Sequence, residues 1–292
     1  MFKGLSAFPI TPADSAGRVD TSTLARLIDR LVSAQVGSVG LLGSTGTYMF
    51  LSRDERRRAI EAAAEVTRDT PLIAGGGALR TDDAVAHAQD AERAGANGLL
   101  LAPVSYTPLT EDEVYHHFRA VAGATGLPIC IYNNPGTTRF TFSPALLERL
   151  AAVDGIAAVK MPLPSGDMGT DLHQLRSALP AGFLIGYSGD WGCAEALLSG
   201  ADCWYSVVAG TLPTPAVALA TAALSGDGAA ARAADAAFSP LWDLFKEFGS
   251  LRVVYAIANR LDLTPAQPPL PLRPIPPDTA ARLDEALSQL NS

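Results

Sequence analysis

Lysine is nearly absent from this chain. Of 292 residues, 22 are lysine or arginine, and only Lys3, Lys160 and Lys246 are lysine. Arginine keeps its proton in a protein, so a lysine retained among arginines marks a place where a primary amine has a use of its own. Cysteine is equally sparse. Cys130, Cys193 and Cys203 are odd in number and scattered, which excludes a disulfide framework; they read as small core residues in a reducing, cytoplasmic setting. The four histidines, His87, His116, His117 and His173, fall in helical pattern. His116 and His117 are adjacent and do not share a helix face, so no ligand set for a catalytic metal is in view. The net charge of −8 argues against nucleic acid as a partner. No apolar run is long enough to cross a bilayer, and the first residues lack the layout of a signal peptide, so no membrane association is expected.

What the chain does have is periodicity. Short apolar runs at 5–11, 38–43, 71–77, 98–103, 128–134, 156–162, 183–189 and 203–210 alternate with helical pattern. They are nearly continuous in hydrophobicity, as parallel strands covered on both faces are. Helix starts are marked: Ser52 with Glu55 and Thr110 with Glu113 have capping-box spacing, and Ser143-Pro144 is an N-cap followed by proline at the first helical position. Eight such units predict an α/β fold, a (β/α)8 TIM barrel, over residues 1–224. A doubly wound open sheet is the alternative, but it would offer a Gly-rich dinucleotide turn after its first strand. Pro9-Ile10-Thr11-Pro12-Ala13-Asp14 is no such turn. After the eighth run the strands stop. Residues 225–292 are expected to form a C-terminal all-helical extension, with the proline-dense stretch 265–277 as a rigid crossing between packed helices.

The chemistry centres on Lys160, placed in the apolar segment Ile156-Ala157-Ala158-Val159-Lys160-Met161. Desolvation favours the neutral amine, which attacks carbonyl carbon to give a Schiff base. A strand-end lysine can equally snorkel to water or pair with a carboxylate, and this segment alone does not separate the readings. In a barrel the C-terminal strand ends share one mouth. Strand two ends in Gly43-Ser44-Thr45-Gly46-Thr47-Tyr48, whose hydroxyls and amides suit a carboxylate; strand five ends in Tyr132-Asn133-Asn134-Pro135-Gly136-Thr137, where a tyrosine can move protons. Gly75-Gly76-Gly77 is a candidate phosphate loop with only Arg80 following closely, and Arg53, Arg56, Arg57 and Arg58 read as a solvated or subunit-facing basic surface.

Gly43-Ser44-Thr45-Gly46, Tyr132-Asn133-x-Pro135, Lys160 in an apolar strand and Ser188-Gly189-Asp190 together resemble, in order and approximate spacing, the dihydrodipicolinate synthase / N-acetylneuraminate lyase family. The resemblance spans essentially the whole chain. It implies a barrel with three C-terminal helices, a homodimer or homotetramer, no cofactor, and class I aldolase chemistry on pyruvate or another 2-oxo acid with an aldehyde partner. By resemblance Lys160 is the Schiff-base lysine and Tyr132 the general acid/base. Ser44 falls at the hydroxyl of a proton relay, and Tyr106 is the relay tyrosine lent to a neighbouring subunit. Thr45, Gly46 and Thr47 fall at the donor carboxylate; Asn134, Thr137, Arg139, Ser188 and Tyr205 fall on the substrate side.

Four departures touch that site. Thr47 stands where glutamate is usual. Thr137 stands where the synthases place the arginine that holds the aldehyde's carboxylate, with Arg139 two positions on as a replacement. Met161 and Pro162 follow the lysine, and Trp204 and Tyr205 are larger than usual in strand eight. The expectation is a 2-oxo-acid lyase with an altered acceptor side. The alternatives are a true dihydrodipicolinate synthase, condensing pyruvate with aspartate semialdehyde, and a non-catalytic 2-oxo-acid sensor.

Overall fold

The structure is a computed structural model and describes residues 1–290; the last two residues of the expected helical region lie outside the described residues. Eight parallel strands close into a barrel in sequence order. They are β1 Gly4–Ala7, β2 Ser38–Leu41, β3 Leu72–Gly75, β4 Gly98–Leu101, β5 Ile129–Tyr132, β6 Ile156–Met161, β7 Leu184–Tyr187 and β8 Cys203–Ser206. The strands are shorter than the apolar runs because burial continues into the loops: Phe8, Pro9, Ile10 and Thr11 after β1 are all buried. Between them run α1 Thr21–Ser33, α2 Arg53–Thr67, α3 Thr81–Arg93, α4 Glu111–Ala122, the single turn α5 Pro135–Thr138, α6 Pro144–Ala151, α7 Met168–Ala178, α8 Cys193–Leu198 and α9 Pro213–Leu224. The tail adds α10 Gly228–Phe248, α11 Ser250–Arg260 and α12 Ala280–Gln289. The fold is the (β/α)8 barrel with C-terminal helices.

Local signals explain most helix starts. Thr110 and Glu113 close a full reciprocal box, and Ser143 accepts from the Leu146 N–H with Pro144 at the first position. At α2 only half the box forms. Ser52 accepts from the Glu55 N–H, but the Glu55 carboxylate turns away to the Val19 N–H at 2.7 Å and to Arg58, tying the β1–α1 loop to α2.

Two surface readings need correction. Arg56 is buried, not solvated; its guanidinium donates to the Gly77 carbonyl at 2.9 Å and lies 5.0 Å from the Tyr48 ring centre. The Gly75–Gly77 turn is no phosphate loop. A Cβ on Gly75 would lie 1.8 Å from the Leu42 carbonyl oxygen and one on Gly77 2.8 Å from the Tyr48 hydroxyl, so these glycines serve close packing of neighbouring loops. The proline stretch is also more than a crossing. It lies over the β1–α1 loop, enclosing with Pro12 and Tyr255 a cavity of about 750 Å³, and brings Leu272 to the barrel mouth.

The β5–β6 pairing carries an irregularity that aims the site. Ile129 pairs with Ile156, but Cys130 pairs with Ala158, so Ala157 is an extra residue in β6. Ile156 therefore faces the helices while Ala158 faces the barrel interior. From there Tyr132 pairs with Lys160, and both side chains face inward.

Candidate active site

The C-terminal strand ends open into a cavity of about 810 Å³. Ser44 and Thr45 come from the loop after β2, Tyr132 and Asn134 from the end of β5, Lys160 from β6, and Ser188 from the loop after β7. The β2 loop is folded by close approach. A Cβ on Gly43 would lie 2.8 Å from the Phe8 ring, and one on Gly46 2.9 Å from the Leu42 amide nitrogen. Thr47 adopts a left-handed conformation, φ 53°. Its side chain hydrogen-bonds Tyr255, so α11 braces the loop from the tail side.

Lys160 is 3% exposed. Its Nζ is surrounded by rings: the centres of Phe8, Tyr132 and Tyr205 lie 4.1, 4.3 and 5.5 Å away. Among the described residues no carboxylate forms an ion pair with it. Tyr132 connects the lysine to the β2 loop. Its hydroxyl lies 3.3 Å from Ser44 Oγ and accepts from Asn134 Nδ2 at 3.0 Å. The Asn134 amide also donates to Thr137 Oγ1 at 2.9 Å. With Asn134 filling the acceptor side, the Tyr132 proton is free to point toward Ser44 or a ligand.

Below this layer, Asp190 holds the ends of β7 and β8 together. Its Oδ1 accepts from Ser206 Oγ at 2.7 Å, Trp204 Nε1 at 3.0 Å and the Val207 N–H at 3.1 Å. Burial pushes its carboxyl upward, and these hydrogen bonds oppose that shift. Tyr48 also lines the cavity, and burial raises its hydroxyl to about 12, which keeps it a neutral donor.

The structure brings most of the sequence-derived residues to one cavity wall: Ser44, Thr45, Thr47, Tyr132, Asn134, Thr137, Lys160 and Ser188. It leaves four elsewhere. Gly46 packs against Leu42 within the β2 loop and does not line the cavity. Arg139 takes a left-handed φ of 57° to end α5 and stays off the cavity lining. Tyr205 is fully buried beneath Lys160, not on the substrate side. Tyr106 is 97% exposed and outside its own chain's cavity.

Sequence reasoning missed the apolar wall formed by Leu163, Trp191, Leu251 and Leu272. The last two come from the helical tail, which no strand-end pattern could place at the mouth. Phe8 was also missed; it is one apolar residue within an apolar run.

His87, His116, His117 and His173 all sit on helices α3, α4 and α7. Among the described residues no group of three or more His, Cys, Asp or Glu side chains is gathered to hold a metal. Turnover is therefore expected to survive exhaustive dialysis against EDTA. A loss restored by a divalent ion would overturn the lysine-centred reading of this cavity.

Comparison with known proteins agrees with the geometry. A family model described as the dihydrodipicolinate synthetase family matches residues 1–290. A 4-hydroxy-tetrahydrodipicolinate synthase of Pseudomonas aeruginosa is 33% identical over 292 residues, 99% of this chain and 98% of that protein. The crystal structure of a dihydrodipicolinate synthase from Agrobacterium tumefaciens superposes with a TM-score of 0.98 at 62% identity, covering 99% of this chain and 98% of that one. A putative dihydrodipicolinate synthetase from Pseudomonas aeruginosa matches with a TM-score of 0.92 at 31% identity, covering 99% and 100%. With a buried lysine facing a tyrosine–serine pair at the mouth of such a barrel, and relatives matched end to end, the chain belongs to the dihydrodipicolinate synthetase family.

Proposed function

We propose that this carbon–carbon lyase of the family holds a 2-oxo acid, pyruvate foremost, as an imine on Lys160 and makes or breaks the bond to an aldehyde partner. The observation that carries the reading is the setting of Lys160: buried, ringed by aromatics, free of a carboxylate partner, and 4.3 Å from the centre of the Tyr132 ring. A carboxylate there would hold the amine as ammonium and stop it from attacking.

The roles follow from position. Thr45 and the amides of the β2 loop hold the donor carboxylate. Tyr132 gives a proton to the oxygen leaving the carbinolamine, and Ser44 at 3.3 Å returns it. The protonated imine draws electrons from C3 and supplies the enamine that attacks the aldehyde; no further cofactor is needed for that step. Exposure of Tyr106 supports an assembly in which it enters a neighbouring subunit's site. A homodimer or homotetramer is the form proposed.

The names of the relatives support a more specific reading, 4-hydroxy-tetrahydrodipicolinate synthase, with aspartate semialdehyde as the aldehyde. The acceptor wall favours another aldehyde. Among the described residues no lysine or arginine other than Lys160 lines the cavity, and Thr137 is bonded to Asn134. Threonine cannot make the bidentate, charge-assisted contact that arginine makes with a carboxylate. Slow condensation of pyruvate with aspartate semialdehyde is therefore expected, improved about tenfold or more by Thr137→Arg. Rapid condensation by the unsubstituted chain would decide for the synthase. Pyruvate release from a panel of 2-oxo-acid aldols identifies the partner otherwise, and turnover of any of them separates an enzyme from a non-catalytic binder.

A further inference from the structure

Phe8 and Tyr205 are the rings around Lys160 that the proton path does not use. Neither lines the substrate cavity; they are 2% and 0% exposed, inside the barrel beneath it. Their centres lie 4.1 and 5.5 Å from Nζ, within the ~6 Å over which a ring face attracts a cation. They meet each other edge to face, with centres 6.2 Å apart. The barrel is built to admit them. A Cβ on Gly40 would lie 2.2 Å from Phe8 Cζ, and one on Gly186 2.6 Å from the Tyr205 ring. Two strands thus forgo side chains, which weakens them, in favour of two large rings on the axis. The Tyr205 hydroxyl is anchored 3.2 Å from Cys130 Sγ, which fixes the ring under the amine.

Resting on the imine reading above, we propose that Phe8 and Tyr205 are catalytic residues, forming with Tyr132 a π cage that stabilises positive charge on the Lys160 nitrogen as the iminium forms. In that step the nitrogen is already bonded to C2 of the 2-oxo acid. Tyr132 delivers a proton to the C2 hydroxyl, the C–O bond breaks, water leaves, and the nitrogen lone pair closes the C=N bond, leaving one positive charge on nitrogen. Among the described residues no side-chain carboxylate is ion-paired with Lys160 to balance that charge. A carboxylate would stabilise the iminium more strongly, but it would also trap the free lysine as ammonium. A ring face attracts the cation without being able to accept its proton. The gain is roughly 3- to 30-fold in rate per ring.

The test replaces Phe8 by phenylalanines carrying one, two and three ring fluorines, which withdraw electron density from the π face with little change of shape. The readout is the rate at which a borohydride-reducible adduct forms with pyruvate. A stepwise fall, about tenfold in total, with the half-saturating pyruvate concentration and the melting temperature unchanged, is the expected result. Tyr205→Phe, which keeps the ring, is expected within about twofold of the unsubstituted chain, and Tyr205→Leu about tenfold slower. A flat fluorine series overturns the cage, as does a Tyr205→Phe variant as slow as Tyr205→Leu. Failure of the imine reading is a separate outcome: the unsubstituted chain would then give no adduct at all.

Discussion

Incubated with pyruvate and reduced with borohydride, the protein is expected to gain the mass of one reduced pyruvate per chain, located on Lys160. The chain has only two other lysines to compete for the label. Lys3 and Lys246 are both exposed on the surface, away from the cavity. Lys160 is 3% exposed and has ring faces for neighbours. Lys160→Arg is expected to abolish labelling completely, because the guanidinium keeps the charge and the length but cannot become a neutral amine nucleophile. Intact mass and peptide mapping read both outcomes. An adduct on Lys3 or Lys246 would undo the site assignment, and pyruvate binding without any adduct would reduce the site to a binding pocket.

Tyr132→Phe is expected to keep the fold and slow turnover by about 10²- to 10⁴-fold, the range of a well-placed general acid. The substitution leaves the ring over the lysine and removes only the hydroxyl, whose partners are Ser44 Oγ at 3.3 Å and Asn134 Nδ2 at 3.0 Å. Labelling of Lys160 is expected to persist in this variant but to take correspondingly longer. Ser44→Ala is expected to be the milder change, since a water molecule can stand in for a hydroxyl at a solvent-connected mouth. If Tyr132→Phe retained full speed, the proton would have to travel by another group on the wall, and Tyr48, with its hydroxyl held neutral by burial, would be the next to examine.

The barrel was legible because its strands are buried on both faces. Each one shows as an unbroken apolar run, and the polar residues that interrupt the pattern at Ser44, Tyr132 and Lys160 stand at its C-terminal ends. What is not legible is direction. An apolar run does not say which of its residues face the axis, so Phe8 and Tyr205 read as packing or as substrate contacts when they lie beneath the amine. Nor does local pattern carry long-range approach. Leu251 and Leu272 reach the cavity through the packing of the tail, and Arg56, on a helix with strong surface character, is drawn inward by the Gly77 carbonyl and the Tyr48 ring. Arg139 shows the opposite failure. Two residues of loop placed it plausibly in sequence, but a left-handed turn at that residue leaves it off the cavity wall.

The extra residue in β6 has a genetic consequence. Side chains along a strand alternate between faces, so Lys160 points to the axis by its count from the last residue in normal register. Losing the codon for Ala157, in frame, would alter no side chain of the site and remove only a small methyl group. It would nonetheless turn the amine out among the helices, or drag the apolar residues before it to the wrong side. The number of residues in this strand is therefore as much a part of the site as the identity of Lys160.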